Sequence, residues 1–268
     1  MTLAMEVQDP CVRAAALLAD SRAVLILTGA GVSTESGIPD FRSPGGLWSR
    51  YDPRELTYDR FCASQAVREK YWRMATEAYP LLRDAEPNAA HVAGSEIERS
   101  GRLLRLVTQN IDGLHLKAGN TRARTIEIHG SSLRARCIEC GREHDREEIH
   151  RRLTEGSFEV PRCDQPCGGA VKPATISFGQ AMPERETMEA FAAARDCDLA
   201  IVIGSSLVVY PAAGIPEEAV RSGASLIVIN NEPTPADDLA TVVVRGAAGE
   251  SMSLITRMAD LGTPAVVS

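Results

Sequence analysis

Apolar and polar positions follow two rhythms along this chain. Continuous apolar runs within 198–203 and 225–229 predict strands buried on both faces, and runs at 23–28, 103–107 and 125–128 predict further strands. Apolar residues recur at helical spacing over 9–19 and over 58–82, with Phe61, Val67, Tyr71, Trp72 and Met74 as packing residues. A further helix is predicted over 89–100, opened by Pro87-Asn88 and stopped by Gly101. Strands alternating with helices predict an α/β fold on a parallel sheet. Each strong apolar run hands over to polar residues: the segment from Gly29, Gln109 to Asp112, Gly204 to Ser206, and Asn230 to Glu232. Ligands of open α/β sheets sit at the carboxyl ends of the strands, so these clusters share one candidate binding edge.

Composition narrows the class. A chain of 268 residues holds one large domain, or a large one and a small one. A net charge of −7 argues against nucleic-acid binding, which needs a basic face. No apolar run approaches the ~20 residues of a membrane span. The first ten residues carry Glu6 and Asp9 and lack the basic start and apolar core of a secretory signal. Seven cysteines, four of them clustered, fit a reducing compartment and a metal site better than a disulfide framework. The expectation is a cytoplasmic, monomeric protein without long basic or disordered tails, a minimal catalytic core.

The most informative stretch is residues 29–48, beginning Gly29-Ala30-Gly31-Val32-Ser33. A strand ending in Gly-x-Gly at a helix start lets backbone N–H groups approach a pyrophosphate. Thr34 stands where a third glycine would complete the usual dinucleotide fingerprint, and the customary ribose-binding acid has no clear candidate, unless Asn230 or Glu232 fills that role. Pro39-Asp40-Phe41-Arg42 then adds a rigid turn, an acid, an aromatic and a base. Two readings stay open: a lid with a phosphate partner, or a surface loop in which Phe41 plugs the core and Asp40 pairs with Arg42.

Cys137 and Cys140 form one close pair and Cys163 and Cys167 another. Two such pairs suit a tetrahedral structural zinc with four thiolates and no open position for catalysis. A redox pair or unrelated buried thiols is the alternative. Cys11, Cys62 and Cys197 lack partners at ligand spacing. His129 ends a strand before Gly130, a position that can expose an imidazole suited to proton transfer near neutral pH, or simply a packed strand-end histidine. Asn110 and Asp112 sit at a strand end, where they hold a ligand or cap a loop. His115 reads as structural, and nothing singles out His91, His144 or His150.

In order, Gly29 to Arg42, Thr108 to His115, His129-Gly130, the paired cysteines, Ile176-Ser177-Phe178-Gly179, Gly204 to Ser206 and Asn230 to Glu232 resemble the sirtuins, NAD-dependent protein-lysine deacylases. The resemblance implies a Rossmann-type domain in three parts (1–42, 88–131 and 176–268), with a helical module at 43–87 and a zinc lobe at 132–175. NAD and an acyl-lysine peptide would meet between them. It implies an NAD site of Gly29, Ala30, Gly31, Ser33, Asp40, Phe41, Arg42, Gln109, Asn110, Ile111 and Asp112. Gly204, Ser205, Ser206, Asn230, Glu232 and Ala248 would hold the adenosine half. His129 would be the general base and Asn110 a second catalytic group. Ile176 to Gly179 would pair with the peptide as an added strand, with Phe178 near the acyl tunnel, and Phe41 would shield the reactive carbon. NAD would be consumed, giving nicotinamide, O-acyl-ADP-ribose and free lysine.

Two departures bear on specificity. Gly204-Ser205-Ser206 replaces the family's more usual Gly-Thr-Ser and keeps a hydroxyl. Members that remove succinyl or malonyl groups carry Tyr-x-x-Arg in the helical module, whereas Met74 follows Tyr71 at that spacing, and Tyr51 and Arg54 lie too early. Neutral acyl groups, acetyl first, are therefore expected. A mono-ADP-ribosyltransferase or a non-catalytic NAD sensor would use the same cleft, and the presence of His129 and Phe178 counts against the sensor.

Overall fold

A computed structural model describes residues 9–40, 51–156 and 159–261. Its strands are β1 (Val24–Thr28), β2 (Leu103–Thr108), β3 (Thr125–Glu127), β4 (Gly130–Cys137), β5 (Glu143–His144), β6 (Val171–Thr175), β7 (Leu199–Ile203), β8 (Ser225–Ile229) and β9 (Val242–Val244). Six of them form one sheet in the order β3-β2-β1-β7-β8-β9, every pair parallel. The order reverses direction between β1 and β7, so the loops leaving these two strands part company there and open the crevice typical of doubly wound folds.

The helices are α1 (Pro10–Asp20), α2 (Tyr58–Ala63), α3 (Gln65–Asp84), α4 (Ala89–Arg99), α5 (Leu114–Lys117), α6 (Arg146–Glu155), α7 (Glu184–Asp196), α8 (Gly214–Arg221) and α9 (Ala248–Met258). Successive strand residues face opposite sides of a sheet. Val24 and Ile26 therefore join Ile201, Ile203, Ile227 and Ile229 in one core with α1, α4 and α9. Leu25 and Leu27 join Ala200, Val202, Leu226 and Val228 in a second core, where Ala190, Ala193 and Ala194 bring α7 close. Cover on both faces is why these strands read as unbroken apolar runs.

The smaller sheet is antiparallel, in the order β5-β4-β6. Its core combines Ala135, Cys137, Cys163 and Val171 with Trp72 of α3 and Ile149 and Leu153 of α6. The helix expected over 58–82 is two helices. Ser64 closes α2 with its N–H on the Arg60 carbonyl and opens α3 with its hydroxyl, which accepts from Val67 N. The segment after Gly29 is a 3₁₀ helix, Ala30–Ser36, ended by Gly37 at φ 82°.

Glycine at the switch point answers to the protein's own backbone. A Cβ on Gly29 would lie 2.7 Å from the Gly204 carbonyl oxygen, and one on Gly31 would lie 2.9 Å from Gly204 Cα. Gly204, at φ 60°, could carry a Cβ only 2.3 Å from Val32 N. Gly31 N donates to Gly204 O at 2.8 Å, and Gly29 N donates to Ile203 O at 3.0 Å. Gly204→Ala should therefore cost at least about 2 kcal/mol, from strain plus displaced backbone. Chemical denaturation reads this directly, and an unchanged unfolding midpoint would contradict the interlock.

Candidate active site

The carboxyl ends of β1 and β2 are tied by side chains. Thr28 donates its hydroxyl to Thr108 Oγ1 at 2.9 Å, and Asn110 N donates to the same oxygen at 3.0 Å. With its proton given to Thr108, the Thr28 oxygen is the acceptor for His115 Nε2 at 3.0 Å. Asn110 directs its amide group at Gly29 O and Ser33 Oγ, both at 3.0 Å. Ser33 in turn donates to Asp112 Oδ2 at 2.8 Å, and Asp112 Oδ1 accepts from Leu114 N at 3.0 Å. Burial raises the Asp112 pKa, and the bonds from Leu114 N and Ser33 oppose that rise. Both amide hydrogens of Asn110 are thus engaged within the protein, which leaves its Oδ1 as the end to meet a ligand.

His129 lies where β3 of the large sheet hands over to β4 of the small one. Its Nδ1 is 2.9 Å from Gln109 O. A carbonyl only accepts, so Nδ1 carries the proton and Nε2 keeps its lone pair. Burial lowers the imidazole pKa, against a smaller upward pull from Gln109 O, which favours the neutral ring. Gln109 also donates to Ser205 Oγ at 2.9 Å, joining β2 to the loop after β7.

Several contributors escaped the sequence reading. Glu35 reaches across the fold to accept from Gly249 N at 2.8 Å, supplying the first turn of α9, where Ala247 gives no side-chain cap. Asn88 caps α4 through Ala90 N and also donates to Val32 O and Ser36 Oγ, so it grips the 3₁₀ helix. His91, which nothing in the sequence singles out, is fully buried, its ring centroid 4.7 Å from that of His115. Burial depresses His91 to about 4 and His115 well below the ordinary imidazole value. No local pattern announces these contacts, because each joins residues distant in sequence or depends on burial.

At the far edge, Asn230 donates to the Glu232 carbonyl at 2.7 Å and Glu232 is exposed, while Ala248 is buried. Ser205 is buried and accepts from Leu207 N at 3.2 Å, whereas Ser206 is exposed. Ala30, Gly31 and Ser33 belong to the loop and 3₁₀ helix, Ile111 is half-buried, and Asp40 ends the described stretch. Phe41 and Arg42 lie outside the described residues. Beyond β6, Ile176 N donates to His129 O at 2.8 Å, Phe178 O accepts from Tyr58 N, and Gly179 sits at φ 77° in a turn. Phe178 is 49% exposed.

The four paired cysteines converge. Their sulfurs all lie within 4.8 Å of one another. Cys137 Sγ is 3.7 Å from Cys167 Sγ, and Cys140 Sγ is 3.7 Å from Cys163 Sγ. A tetrahedron of Zn–S bonds near 2.3 Å has edges of about 3.8 Å, so spacing and donor set both fit zinc. Cys11, Cys62 and Cys197 stand apart from this group.

A family model described as the Sir2 family matches residues 29–211, which include the glycine loop, the His129 junction and all four of these cysteines. The chain belongs to the Sir2 family. A Sir2 relative from Bradyrhizobium diazoefficiens, NAD-dependent protein deacetylase 1, is 43% identical over 93% of this chain and 96% of its own. One from Archaeoglobus fulgidus, NAD-dependent protein deacylase 2, is 42% identical over 92% and 95%. Among solved Sir2 structures, one from work on the mechanism and regulation of Sir2 enzymes is 40% identical, with a TM-score of 0.82 over 94% of this chain and 98% of that one. Another, holding a deacetylated p53 peptide and 3′-O-acetyl ADP ribose, is 38% identical, with a TM-score of 0.82 over 91% and 96%.

In this Sir2 protein a zinc held by all four thiolates would tie the small sheet to its loops rather than serve as a catalytic site, since its coordination sphere would be full. Cys163→Ser should abolish stoichiometric zinc and expose the amides of β4 and β6 to hydrogen exchange while β1, β7 and β8 stay protected. Metal analysis with exchange mass spectrometry tests this, and full zinc retention by the variant would refute the four-cysteine centre.

Proposed function

We infer that this protein is an NAD-dependent protein-lysine deacylase that prefers neutral acyl groups, acetyl first. The observation that carries the reading is His129 at the junction of the two sheets, with Nδ1 bonded to Gln109 O and Nε2 left as acceptor. Membership of the Sir2 family and relatives named deacetylases and deacylases support it. NAD, as co-substrate, would supply a ribose whose bond to nicotinamide breaks and whose hydroxyl takes the acyl group as its bond to the lysine nitrogen breaks, with one water consumed and the free amine released.

The roles follow from the contacts. His129 accepts at Nε2 the proton of the ribose hydroxyl that attacks the acyl carbon, and Gln109 O steadies the ring as charge develops. Asn110, its amide held by Gly29 O and Ser33, would offer Oδ1 to the electron-poor ribose of bound NAD. Gly29, Ala30, Gly31, Ser33, Asp40, Phe41, Arg42, Gln109, Ile111 and Asp112 line the NAD site in this reading. Gly204, Ser205, Ser206, Asn230, Glu232 and Ala248 hold the adenosine half, and Ile176, Phe178 and Gly179 receive the peptide. Tyr71 is buried with its hydroxyl turned to Thr175 and Ser177, and no arginine follows it at the spacing that would meet an acyl carboxylate. The protein acts as a monomer in the cytoplasm.

Mass spectrometry of an acetyl-lysine peptide with and without NAD should show NAD-dependent loss of acetyl and formation of O-acetyl-ADP-ribose. His129→Ala should reduce kcat/KM by about 10² to 10⁴. Nicotinamide release without deacylation would redirect the reading to ADP-ribosyl transfer. Because burial holds His129 below the ordinary imidazole value of about 6.5, the base form persists below neutrality and is lost only as pH falls through the lowered pKa. The acid limb of kcat/KM should therefore have its midpoint below pH ~6.5, and a midpoint above 7 would remove His129 as the base. A succinylated peptide should be the poorer substrate, and an advantage of about tenfold in its favour would overturn the acyl preference.

A further inference from the structure

Lys172 presents a problem in electrostatics. It lies in β6 at 2% exposure, and among the described residues no carboxylate forms an ion pair with it. A buried ammonium is costly unless its protons are satisfied. Here the satisfaction comes from neutral oxygens: Nζ donates to Thr175 O at 2.5 Å and lies 3.3 Å from both Pro173 O and Thr175 Oγ1. It also sits 5.2 Å from the centroid of the Tyr71 ring.

These acceptors share a side. Alternate carbonyls of an extended strand point to the same edge. Ala174 O faces β4, since a Cβ on Gly130 would lie 2.0 Å from it. The carbonyls of Val171, Pro173 and Thr175 therefore line the opposite edge, the outer edge of the small sheet. Trp72 Nε1 takes the first at 3.0 Å and Lys172 takes the other two. Pro173 brings no N–H to that edge. Such an edge is closed to strand addition as far as Thr175.

The next residues are bound to the same unit. Tyr71 OH lies 3.0 Å from Thr175 Oγ1 and 3.3 Å from Ser177 Oγ. Ile176 N, between them, donates to the His129 carbonyl. Ser177 N donates to Gln180 Oε1 at 3.1 Å and Ser177 O accepts from Gln180 N at 3.0 Å, closing the turn that carries Phe178 and Gly179.

We propose that Lys172 is a positioning residue that closes the outer edge of β6 and fixes where the acyl-peptide backbone docks on residues 176–179 relative to His129. The proposal rests on the deacylase reading. Lys172 touches neither the base nor the nucleotide loop in this arrangement, so its loss should fall on one substrate and spare the other.

The test compares Lys172→Met, Lys172→Arg and wild type by steady-state kinetics on an acetyl-lysine peptide and on NAD, and by hydrogen exchange of the 175–177 amides without substrate. Lys172→Met should raise the peptide KM about tenfold with the NAD KM within about twofold, and Lys172→Arg should recover most of the loss. Exchange at 175–177 should quicken in the Met variant. An unchanged peptide KM, or an equal rise for both substrates, would overturn the proposal. Should Lys172→Met fail to fold, Tyr71→Phe removes one hydroxyl from the same unit, and absence of a peptide-specific rise in it would be equally decisive. Failure of the deacylase reading looks different: wild type itself would leave the acetyl-peptide intact with NAD, while the exchange comparison would still report whether Lys172 holds the strand end.

Discussion

Two loops of the large sheet meet backbone to backbone at the point where strand order reverses, and the site is built outward from that meeting. Gly29 and Gly31 after β1 lie against Gly204 after β7, too close for any Cβ, with Gly31 N bonded to Gly204 O. The contact sets the level at which the 3₁₀ helix starts and hence where Ser33 stands. Ser33 then orients Asn110 and Asp112, and Gln109 reaches from β2 to Ser205 on the far side. A shift of the loops at this crossing would misplace donors on three strands together.

Polarity at the strand ends is arranged so that most groups are committed before a ligand arrives. Thr28, Thr108 and the amide hydrogens of Asn110 all have protein partners, and Gln109 O holds one nitrogen of His129. What remains outward is a short set of acceptors. This is the economy expected of preorganised sites, in which dipoles are fixed in advance of the charge they meet. The small sheet contributes through its junctions: Ser132 N on Ile111 O and Ile176 N on His129 O anchor it to the two segments that carry the polar groups.

Much of this was legible in the residues. The runs at 198–203 and 225–229 announced buried parallel strands because both faces are covered, and the cysteine spacing announced a metal because few other arrangements place four thiols in pairs beside glycines. The order of motifs carried the family. Other features were hidden for physical reasons. β5 is two residues long and β4 mixes buried and half-buried positions, so neither leaves a periodic trace. Ser64 acts as stop and start in one residue, which periodicity over 58–82 smooths away. That the glycines also bring this loop against the one after β7 was hidden, because the two loops are far apart in sequence. His91 looked ordinary because nothing local distinguishes a buried helix histidine from a solvated one.

The bond from Glu35 to Gly249 spans 214 positions of the chain. It places the first turn of α9 on the 3₁₀ helix that follows β1, while α9 shares a core with α1 and α4. Contacts of such separation close late, after the entropy of a long loop has been overcome. During synthesis the glycine loop emerges well before its neighbours after β7 and on α9, the latter 214 positions further on. A ribosome-bound fragment can thus display the whole signature motif with neither partner segment yet there to shape it. The shaping of this loop therefore waits on segments far downstream and is not complete when the motif itself appears.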